Sequence, residues 1–265
     1  MFARLLVTLG FGLFAGITAT AADENPEVEK YVKQLKSFEQ TPRTAAIKQL
    51  AAMGTEAKSA TRPLLEMILN PKMKAPQIAA LEAVEKVNPK AYKPARTLIL
   101  DNGWFERADA LKEIDNLNEA DREAVLPVVI AAYNLERIKS KGNGFVLNDF
   151  FRTFANSYPK EKETQDVFLQ AITFVGPQAP ASGSRKHALE NLPKITIDKK
   201  PLYKALMSGM NDGDAGVRAL VIAALGNLGA DAKAALPILK KLKLDRNQEV
   251  REAADTAVKK IEAGK

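Results

Sequence analysis

The side chains that most often carry out chemistry are scarce in this chain. Among 265 residues there is no cysteine and one histidine, His187. Thiolate nucleophiles, disulfides, thiolate zinc sites, covalently attached haem and a lipid-bearing cysteine are thereby excluded. A two-histidine metal site cannot form, and an imidazole proton shuttle would rest on His187 alone. Beside Arg185 and Lys186, His187 reads as a structural residue. Asn211-Asp212-Gly213-Asp214 has the look of a calcium loop but lacks the alternating ligands and the distal glutamate. It reads as a turn with Asp214 capping the helix that follows. No Gly-rich phosphate loop, Gly-x-Ser-x-Gly elbow or His-Glu metal helix is present. No spacing singles out two acids for hydrolysis. The expectation is a protein without catalytic, cofactor or metal residues, one that binds.

The elements that would position binding residues are helical. Hydrophobic residues make up 46% of the chain and charged residues 27%, while aromatics supply only 6%. Ala, Leu, Val and Ile therefore build the core, which suits helices packed closely through small side chains. The one alternating stretch, Ile195-Thr196-Ile197, is too short to seed a sheet and lies between Pro193 and Pro201.

The amino terminus has the pattern of a secretory signal. Arg4 precedes an apolar run from Leu5 to Ile17, and Ala19-Thr20-Ala21 ends it in small residues. A membrane span needs about 20 predominantly apolar residues, and this run is shorter and contains Gly10, Gly12 and Gly16. Residues 1–21 are expected to be a cleaved signal peptide, with residues 22–265 as the folded part. The net charge of +7 falls by one when Arg4 leaves with the leader. The remaining surplus is scattered, densest at Lys240, Lys241 and Lys243, and reads mainly as a solvated surface.

Proline recurs ahead of apolar helical segments, at Pro63, Pro94, Pro127, Pro159, Pro201 and Pro237. The separations of about 31 to 42 residues fall in the range of two-helix repeats. A further periodic run precedes most of them: 45–53, 78–87, 108–117, 146–155 and 217–228. Each unit thus reads as two helices, with proline in the first turn of the second, where its missing N–H has no intrahelical use. Asn25-Pro26 and Thr41-Pro42 read as N-cap and first-residue pairs. Gly54, Gly103 and Gly229 read as helix ends, and Asn88-Pro89 as a break.

The segment Ala223-Ala224-Leu225-Gly226-Asn227-Leu228-Gly229, continued by Leu236-Pro237-Ile238-Leu239, resembles the HEAT-repeat core pattern, and Leu50 to Leu65 is an earlier copy. Asp214 with Val217-Arg218 returns 33 residues later as Asn247 with Val250-Arg251, like the Asp/Arg pair that family often carries at the head of its first helix. The resemblance is strong over 41–70 and 212–262, moderate over 75–134 and weak over 145–210. It implies an all-α fold, an α-solenoid of about six HEAT-like helical hairpins in a right-handed stack plus a C-terminal capping helix, Val250 to Ile261. One hairpin could not stand alone. A buried large apolar side chain contributes about 1.5 to 3 kcal/mol, and ordering each residue costs about 1 to 2 kcal/mol, so neighbours must supply the rest.

Two stretches depart from the pattern. Lys139 to Gly144 reads as a loop, and residues 176–184 as an insert or hinge. Between them Phe150, Phe154 and Tyr158 fall four apart on one helical face and read as packing between repeats. Trp104, at a helix start, is expected to be half buried.

The resemblance implies a non-catalytic, exported scaffold, periplasmic or secreted, binding another protein through its concave or loop surface. Candidate partner-binding residues are Glu66, Arg96, Lys204, Lys240 and Lys241, polar positions of the second helices. The alternative is a HEAT-like enzyme of the DNA glycosylase type. Trp104, Arg107 and Asp109 lie near one another in sequence but match no such motif, and export would separate the chain from chromosomal DNA, so nucleic acid is the less favoured partner.

Overall fold

A computed structural model describes residues 25–70, 77–101, 103–139, 145–173 and 180–264. The expected signal peptide of residues 1–21, residues 140–144, Phe174 and residues 176–179 of the expected insert lie outside them. The chain divides into two compact units, residues 1–135 and 136–265.

In the first unit, α1 (Pro26–Leu35) is followed by α2 (Gln40–Met53), a 310 turn (Gly54–Ala60) and α3 (Thr61–Leu69). Then come α4 (Gln77–Val87), α5 (Pro89–Leu100), α6 (Trp104–Asp115) and α7 (Glu119–Lys139), within which the division falls. α1 packs on α2, α2 and α3 on α4, α4 on α5, and α5 on α6. Leu50, Leu64, Leu65 and Leu98 are wholly buried between them.

The second unit holds α8 (Phe145–Ser157), α9 (Lys162–Thr173), α10 (Ser182–Asn191), α11 (Lys199–Gly209), α12 (Ala215–Asn227), α13 (Leu236–Leu242) and α14 (Gln248–Glu262). α8, α10, α12 and α14 pack in succession, α9 packs on α11, and α13 on α14. The fold is all-α and of the α-solenoid class. Among the described residues there is no strand, and pairing α2/α3 through α12/α13 gives six hairpins with α14 last. Val250, Ala254, Val258 and Ile261 of α14 are buried while Glu252, Thr256, Lys259 and Glu262 face water, so α14 is amphipathic.

The weakly patterned middle keeps its hairpins through aromatic packing. Phe150, Phe151, Phe154, Tyr158 and Phe168 are all buried. The ring centroids of Phe154 lie 6.5 Å from Phe150 and 6.4 Å from Tyr158, and Phe151 meets Phe168 edge-on at 5.3 Å. The stripe is core. Close helix contact is set elsewhere by glycine: a Cβ on Gly226 would stand 2.8 Å from the Ala257 Cα, so α12 meets the small Ala257 of α14 there through bare backbone.

Several start signals act differently from the sequence expectation. Asn25 caps α1, accepting from the Glu27 N–H at 3.0 Å, with Pro26 first in the helix. Pro94 and Pro127, however, lie inside α5 and α7. The reason is a stronger cap upstream: the Asn88 side chain accepts from the Ala91 N–H at 3.2 Å and that of Asn118 from the Asp121 N–H at 3.0 Å. Thr41 and Pro42 are the second and third residues of α2, whose N-cap is Glu39. Gly103 opens α6 as its N-cap instead of ending α5. Gly54 and Gly229 do follow helices, each with positive φ, 58° and 55°.

A recurring arginine joins six of the turns to the helices after them. Arg43, Arg107, Arg122, Arg185, Arg218 and Arg251 are each the fourth residue of their helix. Each guanidinium donates back to a carbonyl five or six residues earlier: Ser37 (2.6 Å), Asp101 (3.4 Å), Leu117 (3.1 Å), Pro180, Asp212 (2.9 Å) and Asp245 (2.9 Å) respectively. Turn carbonyls that helices leave without partners are satisfied this way.

Candidate interaction surface

Several acids are held in structural bonds. Asp121, 1% exposed, accepts from the Lys58 ammonium at 2.9 Å, the Asn88 amide at 2.7 Å and the Asn118 amide at 2.6 Å. Burial raises its pKa, but Lys58, Asn88 and Asn118 together outweigh burial and hold the carboxyl below its usual range. Asn88 and Lys58 belong to earlier repeats than Asp121, so the cluster stitches three repeats of the first unit.

The segment 211–214 is likewise a turn. Arg185 meets Asp212 with Nε and Nη2, both at 2.7 Å. Asp214 caps α12 by accepting from the Val217 N–H at 3.1 Å and pairs with Lys186 at 3.0 Å. Burial raises the Asp214 pKa, and the bonds from Lys186 and the Val217 N–H more than offset it, so the net shift is downward. One repeat later Asp245 and Asn247 take the same places, accepting from the Asn247 and Val250 N–H groups at 2.8 and 3.2 Å. His187 lies 3.7 Å from Glu190 on the same helix. Among the described residues no group of three or more His, Asp and Glu side chains is placed to hold a metal ion.

Trp104, Arg107 and Asp109 do not share a surface. Arg107 is 1% exposed and donates to the Ala132 and Asp101 carbonyls. Asp109 is exposed and paired with Lys112 at 2.9 Å. Trp104 is half exposed, its ring 3.7 Å from that of Phe105.

The candidate partner-binding residues all face solvent on second helices. In the first unit, Glu66 on α3 pairs with Arg62 at 2.8 Å, and Arg96 lies on α5. In the second, Lys204 lies on α11, and Lys240 and Lys241 on α13, with Lys240 bound to Glu262 at 2.7 Å. The 310 turn Gly229–Ala235 packs against both α11 and α13, and Lys199 reaches Asp231 in it at 2.6 Å. Lys204, Lys240 and Lys241 thus belong to two helices joined through one turn. Lys200 and the exposed Ile238 on the same two helices were not among the expected binding residues. A Lys200/Lys204 spacing of four was the available signal. A shallow depression of about 310 Å³ between α12 and α14 is lined by Ala223, Glu249, Glu252 and Lys260.

Residues 178–259 match the family model described as HEAT repeats. That segment, which holds α10 to most of α14, is thus similar to HEAT repeats, in keeping with the all-α hairpins described above. The chain is similar to a crystal structure of an engineered protein from a structural genomics consortium, at 17% identity over 90% of this chain and 97% of that one, with a TM-score of 0.41. It is also similar to a designed armadillo repeat protein, at 16% identity over 88% and 99% of the two chains, with a TM-score of 0.29. No curated protein matches it.

Proposed function

We propose that this protein is an exported, non-catalytic scaffold that binds another protein through solvent-facing side chains of its second helices. One observation carries the reading. Buried acids such as Asp121 and Asp212 are used to tie repeat to repeat, whereas the second helices present Glu66, Arg96, Lys204, Lys240 and Lys241 to water. A repeat array uses its interior to hold shape and its extended, regular surface to bind. The enzyme alternative draws on Arg107, whose guanidinium is turned to backbone carbonyls. Export is proposed from the leader pattern of residues 1–21. No helix of the described residues is long and apolar enough to cross a membrane.

The test is capture of a partner from an envelope extract by the tagged protein, with its amino terminus read by mass spectrometry. Processing to Ala22 and loss of the partner on combined charge reversal of the five residues are expected. A chain that keeps residues 1–21 in the cytoplasm, or captures nothing, removes the reading.

A further inference from the structure

We propose that the face made by α11, the Gly229–Ala235 turn and α13 binds an acidic protein segment, with carboxylates at Lys200, Lys204 and Lys241 and an apolar side chain on Ile238. This rests on the scaffold reading above and narrows it to one class of partner.

The first support is composition. Neither α11 (KKPLYKALMSG) nor α13 (LPILKKL) contains a single Asp or Glu, although acids are common elsewhere in the unit. The second is the contrast between neighbouring lysines. Lys199, Lys240 and Lys243 are neutralised by Asp231, Glu262 and Asp255 at 2.6, 2.7 and 2.7 Å. Lys200, Lys204 and Lys241 are exposed and make no ion pair among the described residues. Positive charge is thus compensated around the face and left uncompensated on it, which complements an acidic ligand and adds nothing to the fold. The third is geometry. Lys200 and Lys204 stand one helical turn apart on α11, and Ile238 and Lys241 one turn apart on α13. Ile238 is 42% exposed, three residues before Lys241 on α13. An apolar contact beside lysines suits a polypeptide carrying both carboxylates and apolar side chains. Single-stranded nucleic acid would call for exposed rings on which bases stack, and the largely exposed rings Phe38, Trp104 and Phe105 belong to the other unit.

The test uses the full chain and a labelled synthetic peptide of repeating Glu-Glu-Leu triplets, read by fluorescence anisotropy at low salt. The combined variant K200E/K204E/K241E should weaken binding about tenfold or more. The variant K48E/K86E/K90E, the same charge change on exposed lysines of the first unit, should weaken it less than about twofold. Circular dichroism checks the fold, and K200Q/K204Q/K241Q serves if reversal disturbs it. Equal losses from both variants overturn the proposal, as does an unbound peptide. Tighter binding of oligothymidylate or of phosphatidylglycerol vesicles through the same lysines would also overturn it and assign the face to nucleic acid or lipid. An envelope partner still captured by K200E/K204E/K241E removes this face and leaves the scaffold reading, whereas a wild-type chain that captures nothing removes both.

Discussion

Arg185 grips Asp212 with two guanidinium nitrogens, each 2.7 Å from a different carboxylate oxygen, across 27 residues of chain. The same interval separates Arg218 from Asp245, at 3.8 Å. The helix-head arginine therefore serves two bonds at once: it closes its own turn and reaches the turn of the next repeat. Asp212 is 2% exposed and Arg185 13%, so loss of one partner strands the other in a poorly solvated place. Asp212→Ala and Arg185→Ala should each destabilise the second unit by about 3 to 5 kcal/mol. The double variant should cost clearly less than the sum, as coupled residues do. Urea unfolding measures this, and strict additivity would show that the pair is not an energetic unit.

Asp121 makes the first unit sensitive to acid. Its folded pKa lies below the ordinary 3.8, so the unfolded chain binds protons more readily as pH falls. Its contribution is fully present above about pH 4 and is lost as the pH drops through the folded value. Asp121→Asn should destabilise the unit by about 1 to 3 kcal/mol at neutral pH. The gap from wild type should close in acid. A gap that stays constant down to strongly acidic pH would show that the charge does not matter there.

Asp255 provides a surface counterpart, held at about 2 by hydrogen bonds from Lys243 and Lys259 at 2.7 and 2.5 Å. NMR titration of this carboxyl should report a midpoint near that value. Lys243→Met should move it upward, and an unchanged midpoint in that variant would exclude the bridge.

At Gly226 any side chain must push α14 off α12, because a Cβ would lie 2.8 Å from the Ala257 Cα and 3.0 Å from its Cβ. Gly226→Val should destabilise by about 1 to 3 kcal/mol through overpacking. Hydrogen exchange should quicken first in α14, the last helix of the stack.

Phe154 sits between Phe150 and Tyr158 with no exposure. Phe154→Ala should cost about 3 to 5 kcal/mol and leave peptide affinity at α11 and α13 unchanged while the chain is folded. Calorimetry and anisotropy on one preparation separate the two effects.

Much of this was legible in the sequence because repetition exposes it. The 33-residue return of Val217-Arg218 as Val250-Arg251 marked equivalent turns, and the four-residue spacing of Phe150, Phe154 and Tyr158 marked a core face. Proline alone was a poor guide to helix starts. At Pro94 and Pro127 an upstream asparagine cap wins, since a satisfied N–H outweighs a ring that merely tolerates the first turn. The turn-closing role of Arg43, Arg107, Arg122 and Arg185 went unnoticed because they bond to backbone carbonyls, which every residue type supplies. The sequence revealed the device only where Val-Arg recurs, at Arg218 behind Asp214 and at Arg251 behind Asn247. On the binding side, Lys204, Lys240 and Lys241 could be placed on second helices from spacing. That Lys240 is spent on Glu262 while Lys200 stands open depends on folded neighbours, which no local pattern encodes.

The turn before α12 and the turn before α14 are interchangeable parts. Excising residues 213–245 would splice Asp212 to Arg246, setting Arg251 six residues beyond its new seam, in the register it already keeps with Asp245. Arg185 would find Asp212 where it always was, and the amphipathic lid that now seats on α12 would be offered to α10. Array length in this protein is accordingly an adjustable quantity, open to gain or loss of a whole module without fresh joinery.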